Sequence, residues 1–289
     1  MSARPSLTVR VCARAGLLGN PSDVYGGKAI ALSVCDFAAE VWIAESDELR
    51  FEADPEGARL LAAALGRFPE ARDRRLRLGF RSDIPRQVGL AGSSAIVVGA
   101  LRALGAWFGV ELHPAEVAER ALAAEAEDLG IVAGPMDRVI QAYGGLVHMD
   151  LRAPRGAHSY RRLDPGLLPP LFVAWDPHPG EPSGVAHADV RARFTHVLVD
   201  EGLVCLERRD VAGLMRLVDR NFDTRASIWK LRERDVAMVR LGRALGAAVK
   251  FCGSGGAVLG VMRDEAEFPA LARAYAEAGF PCIRPTVAG

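Results

Sequence analysis

A run of glycines and serines directly before a long apolar segment is the part of the sequence most suggestive of chemistry. The run spans residues 85–95, and the apolar segment 96–108 contains glycine as its only helix breaker. Such a loop at the start of a buried helix presents backbone N–H groups and the positive end of the helix dipole, which together bind anions such as phosphate. Ser93 and Ser94 add hydroxyl oxygens suited to Mg²⁺. A glycine-rich turn that only starts a core helix explains the same residues.

A carboxylate inside an apolar helix stripe is the second candidate. Residues 114–130 begin with proline and end with glycine, which predicts a helix. Glu125 falls within its apolar stripe, three residues after Leu122 and four before Leu129, whereas 127–128 lie away from the stripe's centre. A buried carboxylate is costly unless it is paired or binds a cation, so Glu125 is a candidate functional acid. A glutamate that reaches solvent near the helix end is the structural alternative.

The elements that must position these groups follow from hydrophobic periodicity. Residues 76–84 alternate apolar and polar positions, which predicts a strand leading into the serine run. Further strands are predicted over 7–12, 29–35, 41–44, 49–52, 146–151, 171–175, 247–252, 257–262 and 281–285, and helices over 54–68 and 265–278. Residues 16–27 form a turn-rich loop, and helical patterns continue to about residue 245. The pattern favours an α+β fold with helices on one face of a sheet.

Composition and charge restrict the class of protein. The chain has 289 residues, with 36 basic and 36 acidic side chains, so its charge gives no basis for binding nucleic acid or an anionic membrane. It has no long apolar run and no apolar leader, which predicts a cytoplasmic protein without a membrane segment. Five scattered cysteines without C-x-x-C pairs predict reduced thiols rather than a disulfide framework or a zinc site.

A stretch rich in proline, glycine and arginine marks the predicted domain boundary. It covers residues 152–170, and it separates predicted domains over 1–155 and 156–289. A chain of this length can bury the core of one large domain or of two moderate ones.

Three glycine-rich segments occur in a fixed order, at residues 13–27, 85–95 and 250–257. Their order, their spacing and the length of the chain resemble the GHMP small-molecule kinases. The resemblance implies a two-domain α+β fold. Its N-terminal domain would be ribosomal protein S5 domain 2-like and its C-terminal domain a ferredoxin-like α/β sandwich. It also implies ATP and Mg²⁺ as cofactors and a small molecule as phosphoryl acceptor, in a monomer or homodimer.

Within that superfamily, four strings resemble the glucuronokinases. They are GLLGNPSD, PRQVGLAGSSAIV, DRVIQAYGGLVHMD and KFCGSGGAV. The resemblance implies transfer of the γ-phosphate of ATP to the anomeric hydroxyl of a sugar acid, D-glucuronate first. Another sugar such as galactose or galacturonate, or an alcohol such as mevalonate, is the alternative acceptor. An inactive nucleotide- or sugar-binding regulator on the same fold is a third reading.

The resemblance implies a role for each matching residue. ATP contacts are expected from Gly89, Leu90, Ala91, Gly92, Ser93, Ser94, Ala95, Gly253, Ser254 and Gly255. Substrate contacts are expected from Asn20, Asp23, Tyr25, Gly26, Gly27, Lys28 and Arg138. Mg²⁺ ligands are expected from Glu125 and from Ser93 or Ser94; Ala91 is an extra residue in the motif and leaves the choice of serine open.

Asp137 and Arg14 match the catalytic pair of the family. Asp137 would accept the proton of the acceptor hydroxyl, and the cation Arg14 would favour its ionised form and stabilise the moving phosphoryl group. A helix cap for Asp137 and a strand surface position for Arg14 are the structural alternatives. Five basic residues are candidates for the acceptor carboxylate: Lys28, Arg138, Arg191, Arg193 and Arg225.

Overall fold

The chain divides into two compact units that alternate along the sequence. The computed structural model describes residues 6–71, 75–131, 134–154, 157–178 and 197–289. The first unit lies within Met1–Ala13, Asp36–Ile84 and Ala91–Gly144, and the second within Arg14–Cys35, Pro85–Leu90 and Gly145–Gly289. This division differs from the predicted domains 1–155 and 156–289, because the chain passes between the units several times before residue 145.

Two long strands contribute residues to both units. Strand β1 is Leu7–Leu18 and strand β2 is Lys28–Glu45, and the two pair with each other. The sequence predicted a shorter first strand and two separate strands, 29–35 and 41–44, in place of β2. Asp36 is exposed, so this polar residue does not interrupt the strand. The turn-rich loop is correspondingly shorter than predicted, because β1 continues to Leu18.

The first unit packs helices against a small sheet. Its further elements are β3 Arg50–Glu52, α1 Pro55–Gly66, β4 Leu76–Ser82, α2 Gly92–Phe108, α3 Pro114–Ala123 and α4 Met136–Tyr143. The sheet order is β3-β4-β2, with β4 antiparallel to β2 and parallel to β3. Helix α2 is almost wholly apolar and buried. It lies close to β2 at Gly99, where an added Cβ would stand 2.6 Å from a methyl of Val41.

The second unit contains two antiparallel sheet regions and four described helices. Its further elements are β5 Leu146–Asp150, β6 Ser159–Leu163, β7 Leu171–Trp175, α5 Val197–Arg208, α6 Val211–Ala226, α7 Glu233–Ala244, β8 Ala248–Phe251, β9 Ala257–Val261, α8 Phe268–Glu277 and β10 Cys282–Ile283. The first region has the order β2-β5-β6, and the second has the order β10-β7-β9-β8. Phe172, Phe222 and Tyr275 lie in the core that joins helices to the second region. The architecture confirms the predicted α+β fold.

The cysteines differ from the prediction of reduced thiols. Cys12 and Cys35 are disulfide-bonded. Cys205, Cys252 and Cys282 are free, as predicted. The spacing of isolated cysteines along a sequence carries no information about which strands will lie side by side, so this bond was not predictable. In the described part of the chain, no helix is both long enough and apolar enough to span a membrane.

Candidate active site

The serines of the second glycine-rich segment lie in the first turn of α2. The helix begins at Gly92, four residues before the predicted apolar start, and its N-cap is Ala91 in the left-handed region with φ 63°. Ser94 is buried and Ser93 is half-buried. The first backbone N–H groups of a helix have no partner within it, and the helix dipole adds positive potential there. The start of α2 therefore has the electrostatics of a phosphate site.

Glu125 points into the protein, as its position in the apolar stripe predicted. It lies in a single π-helical turn, Ala124–Asp128, that follows α3, and its side chain is fully buried. The hydroxyl of Ser94 donates to Glu125 Oε1 over 3.4 Å, and Nε of Arg138 donates to Oε2 over 2.5 Å. Glu127 and Asp128 of the same turn pair with Arg67 near the surface. Within this turn, Glu125 is therefore buried, whereas Glu127 and Asp128 are exposed.

Asp137 and Arg138 begin helix α4 in the same unit. Arg138 is buried and donates from Nη1 to the carbonyl of Gly134 over 2.8 Å. The same Nη1 lies 3.8 Å from Oδ2 of Asp137, whose side chain is 20% exposed. The N-cap of α4 is Pro135, so Asp137 does not occupy the capping position that was its structural alternative.

Ser94 and Glu125 form a pair of oxygens suited to one divalent cation. Their oxygens lie 3.4 Å apart, and two neighbouring ligands of an octahedral Mg²⁺ lie about 3 Å apart. Among the described residues, no cluster of three or more His, Cys, Asp or Glu side chains is arranged to hold a metal. Mg²⁺ usually takes one or two protein ligands and completes its shell with water and substrate phosphates, so this small donor set fits it.

The three glycine-rich segments meet in the second unit. Arg14 is buried and donates from Nη1 to the carbonyls of Gly89 and Cys252 over 2.5 and 3.3 Å. Its backbone N–H donates to Leu90, and the N–H of Gly16 donates to Cys252. Arg14 therefore holds the start of the second segment against the third, and it is not the surface residue of the structural alternative.

The contact between the second and third segments requires glycine. An added Cβ on Gly253 would stand 2.5 Å from the carbonyl oxygen of Gly89 and 2.8 Å from Nη2 of Arg14. Gly89 has φ +72°, and its added Cβ would stand 2.7 Å from the carbonyl oxygen of Gly255. The backbones approach more closely than any side chain permits.

Two buried basic side chains bind backbone carbonyls in or near the third glycine-rich segment. The sequence did not predict this role for either of them. Arg225 of α6 donates to the carbonyls of Gly253 and Ser254, both over 2.8 Å. Lys250 is fully buried and donates to the carbonyls of Gly16 and Phe251 over 2.6 and 2.7 Å. Burial lowers the pKa of Lys250 to about 7. A charged residue inside the all-apolar strand pattern of β8 was the signal available in the sequence for Lys250.

Apart from Arg138, the residues expected to bind substrate lie in or beside a short 3-10 turn, Ser22–Tyr25. Asn20 and Asp23 are buried, and Asn20 Nδ2 donates to the carbonyl of Gly253 over 3.2 Å. Two buried polar atoms of this region, Asn20 Oδ1 and the hydroxyl of Tyr25, have no hydrogen-bond partner in the described structure. Burial, and to a smaller extent the charge of Asp23, raise the pKa of Tyr25, while Arg225 opposes the shift.

The glycines and the lysine that follow this turn have separate structural roles. Gly26 ends the turn in the left-handed region, and an added Cβ on Gly27 would stand 2.7 Å from the carbonyl oxygen of Ser22. Lys28 is buried and pairs with Asp200 over 2.5 Å and with Asp150 over 3.8 Å. Its charge is therefore already balanced by carboxylates.

The predicted site residues fall into two groups, one in each unit. The first unit contains Ala91, Gly92, Ser93, Ser94, Ala95, Glu125, Asp137 and Arg138. The second contains Arg14, Asn20, Asp23, Tyr25, Gly26, Gly27, Lys28, Gly89, Leu90, Gly253, Ser254 and Gly255. Arg191 and Arg193, two of the candidates for the acceptor carboxylate, lie outside the described residues.

Comparison with solved structures identifies the fold. The structure is similar to that of a phosphomevalonate kinase from Streptococcus pneumoniae, with a TM-score of 0.80, 99% of this chain and 100% of that one covered, and 15% identity. A galactokinase from Lactococcus lactis, complexed with galactose, gives a TM-score of 0.78, with 98% and 94% covered and 12% identity. At these identities the likeness establishes the fold, which is that of the small-molecule kinases.

Sequence comparison identifies the family. Residues 57–145 match the GHMP kinases N terminal domain. The probable glucuronokinase 2 of Arabidopsis thaliana is 35% identical over 303 aligned residues, which cover 86% of this chain and 82% of the relative. Glucuronokinase 1 of the same plant is 34% identical, with 89% and 85% covered. The chain belongs to the GHMP kinases and is an ATP-dependent small-molecule kinase, as the sequence predicted.

Proposed function

We propose that this kinase transfers the γ-phosphate of ATP to the anomeric hydroxyl of D-glucuronate and forms glucuronate 1-phosphate. The observation that carries the proposal is the pair of buried, unpartnered polar atoms, Asn20 Oδ1 and Tyr25 OH, in the expected acceptor region. A buried polar group without a partner is destabilising, and a ligand rich in hydroxyls would satisfy it. The glucuronokinases of Arabidopsis support the same acceptor, since most of this chain aligns with them.

Arg225 is the basic residue we propose to face the acceptor carboxylate. Its charge interacts with that of Asp23, which belongs to the expected acceptor segment. Lys28 and Arg138 are engaged with carboxylates of the protein. An arginine matches a carboxylate in charge and in planar hydrogen-bonding geometry, and this gives selectivity for a uronic acid over a neutral sugar.

In the proposed nucleotide site, the backbone N–H groups at the start of α2 bind the phosphates of ATP. The resemblance to the GHMP kinases supports further ATP contacts from Gly89, Leu90, Gly253, Ser254 and Gly255. Ser94 and Glu125 would hold Mg²⁺, with Ser94 favoured over Ser93 by its hydrogen bond to Glu125. When bound, Mg²⁺ neutralises charge on the β- and γ-phosphates.

Asp137 acts on the acceptor in the proposed reaction. It orients the anomeric hydroxyl and takes its proton as the hydroxyl oxygen bonds to the γ-phosphorus. The bond between that phosphorus and the bridging oxygen of ADP breaks, and ADP leaves with the electron pair. Arg14 stabilises the charge that develops during this transfer.

An acceptor panel tests the proposal. Purified protein with ATP and Mg²⁺ is assayed for ADP release with glucuronate, galacturonate, galactose and mevalonate. We expect glucuronate to give a kcat/KM at least tenfold above each of the others. A higher kcat/KM with another acceptor would show that this acceptor, and not glucuronate, is the preferred substrate. No turnover with any of the four would indicate that the protein is an inactive regulator.

A further inference from the structure

Arg138 occupies an unusual position between two carboxylates of the proposed site. Its Nε donates to Glu125 Oε2 over 2.5 Å, and its Nη1 lies 3.8 Å from Oδ2 of Asp137. The side chains of Arg138 and Glu125 are only 4% and 0% exposed. A guanidinium and a carboxylate buried this deeply depend on each other, because either charge alone would lose its hydration without compensation.

Arg138 and Ser94 contact different carboxylate oxygens of Glu125. Arg138 binds Oε2, and Oε1 is directed to the hydroxyl of Ser94 over 3.4 Å. The Nη1 bond to the carbonyl of Gly134 fixes the guanidinium plane from a second direction. Arg138 thus sets the orientation of the carboxylate that forms the proposed metal-ligand pair with Ser94.

The charge of Arg138 also opposes a divalent cation at this site. The positive charge of Arg138 balances the negative charge of Glu125, and the partly exposed carboxylate of Asp137 lies 3.8 Å from Nη1 of the same guanidinium. A cation bound to Oε1 of Glu125 would share this carboxylate with the buried guanidinium of Arg138, and repulsion between like charges would oppose its binding. A nucleotide triphosphate removes this obstacle because it brings several negative charges with it.

We infer that Arg138 is a positioning residue that holds Glu125 toward Ser94 and prevents a divalent cation from binding there until a nucleotide is present. The inference rests on the proposed role of Glu125 as a metal ligand. It assigns Arg138 to the metal site instead of to the acceptor carboxylate, and it concerns the order of binding rather than the identity of the acceptor.

Binding of Mn²⁺, followed by the loss of the free-ion electron paramagnetic resonance signal, tests the inference without an activity assay. For the wild-type protein we expect no saturable binding up to about 1 mM Mn²⁺ without nucleotide, and stoichiometric binding with a non-hydrolysable ATP analogue. In Arg138→Gln, the charge of Glu125 is no longer balanced. We therefore expect its nucleotide-free affinity for Mn²⁺ to rise at least tenfold.

Three further variants make the result specific. Arg138→Lys keeps the charge and should behave as wild type without nucleotide. The double variant Arg138→Gln, Glu125→Gln removes both charges and should lose the gained binding. Arg102→Gln removes one arginine from α2 in the same unit, where Arg102 donates to the carbonyl of Ala142, and should bind no Mn²⁺ without nucleotide.

Two results would overturn the inference. One is tight, stoichiometric Mn²⁺ binding by the wild-type protein without nucleotide, a result that does not depend on whether any variant folds. The other is a folded Arg138→Gln protein with the Mn²⁺ affinity of wild type. Either result with normal phosphorylation of glucuronate would refute the inference alone, whereas failure of the acceptor panel would refute the proposed function.

Discussion

At the residue scale, removal of the Tyr25 hydroxyl should weaken acceptor binding without affecting folding. It is buried and makes no hydrogen bond in the described structure, so Tyr25→Phe removes no protein contact. We expect the free energy of unfolding to change by less than about 1 kcal/mol. The KM for glucuronate should rise roughly tenfold, the equivalent of one hydrogen bond, with the KM for ATP unchanged. Urea unfolding and steady-state kinetics measure the two quantities.

A second tyrosine provides the control for this substitution. The hydroxyl of Tyr160, a residue of β6, lies 3.1 Å from Nδ1 of His158, and both residues are distant in sequence from the expected acceptor segment. Tyr160→Phe should leave both KM values unchanged. An unchanged KM for glucuronate in Tyr25→Phe would remove Tyr25 from the acceptor site.

Lys250 makes stability depend on pH in a predictable direction. Its folded-state pKa of about 7 is far below the value of 10.5 that an exposed lysine has. Below pH 7 the side chain is charged in both states, and the full penalty for burying the charge is present. Between pH 7 and about pH 10 the unfolded chain binds more protons, so the wild-type protein gains stability as pH rises.

The variant Lys250→Met isolates this contribution. Relative to Lys250→Met, the free energy of unfolding of the wild type should rise by on the order of 1 kcal/mol per pH unit above pH 7. Burial also raises the pKa of the neighbouring Cys252 thiol to about 12, but this group is present in both proteins, so the comparison isolates Lys250. Parallel pH profiles for the two proteins would show that Lys250 does not carry the expected shift.

At the element scale, the glycine turn between β8 and β9 is set by backbone contact rather than by sequence propensity. Gly253→Ala would place a methyl 2.5 Å from the carbonyl oxygen of Gly89. We expect the free energy of unfolding to fall by about 1–3 kcal/mol and the affinity for ATP to fall at least tenfold, because the two segments must move apart. Chemical unfolding and nucleotide titration by calorimetry measure these effects.

Helix α1 offers a matched glycine. Gly66 ends that helix, and an added Cβ there would meet no atom within 4 Å. Gly66→Ala should keep ATP affinity at the wild-type value and leave stability equal or higher by up to about 1 kcal/mol. Equal ATP affinities for Gly253→Ala and the wild type would contradict the close approach of the two segments.

The elements that follow strong local patterns were predictable from the sequence. The helix predicted over 54–68 is α1, Pro55–Gly66, whose N-cap Asp54 accepts from the N–H of Gly57. Strand β6 was not predicted, because its polar residues lie in a stretch rich in proline and glycine. Its place is set by pairing with β5, a tertiary contact that local propensity does not contain.

The candidate site likewise combines features that local sequence patterns predict with contacts that only the tertiary structure shows. Helical spacing was sufficient to predict that Glu125 faces inward. The same spacing did not predict that Glu125 pairs with Arg138, because Arg138 lies on a different helix. The meeting of Arg14 with Gly89 and Cys252 likewise joins segments far apart in sequence. Family resemblance, rather than periodicity, brought these residues into one hypothesis.

At the scale of the whole molecule, ligand-induced stabilisation distinguishes a catalytic defect from a binding defect. A ligand that binds only the folded state stabilises it by about 2.7 kcal/mol at a concentration of 100 times Kd. We expect Asp137→Asn to abolish turnover while the stabilisation by an ATP analogue with Mg²⁺ remains within about 0.5 kcal/mol of wild type. Asp137 is partly exposed, so its replacement by an amide of the same shape should not disturb folding.

A different outcome would assign Asp137 another role. Turnover of Asp137→Asn at more than a tenth of the wild-type rate would exclude Asp137 as the proton acceptor. Loss of the nucleotide-induced stabilisation, with turnover reduced in proportion, would make Asp137 part of the nucleotide site. The measurement needs only thermal or urea unfolding with and without ligand, beside an ADP-release assay.

The position of the phosphate on the product shows whether the protein is a glucuronate 1-kinase. The protein is incubated with ATP, Mg²⁺ and D-glucuronate, and the phosphorylated sugar is examined by ³¹P–¹H correlation NMR. We expect one new phosphomonoester whose phosphorus correlates with the anomeric proton of glucuronate, formed in equal amount with ADP. A phosphomonoester that correlates with any other ring proton, or ADP formed without a sugar phosphate, would contradict the proposed function.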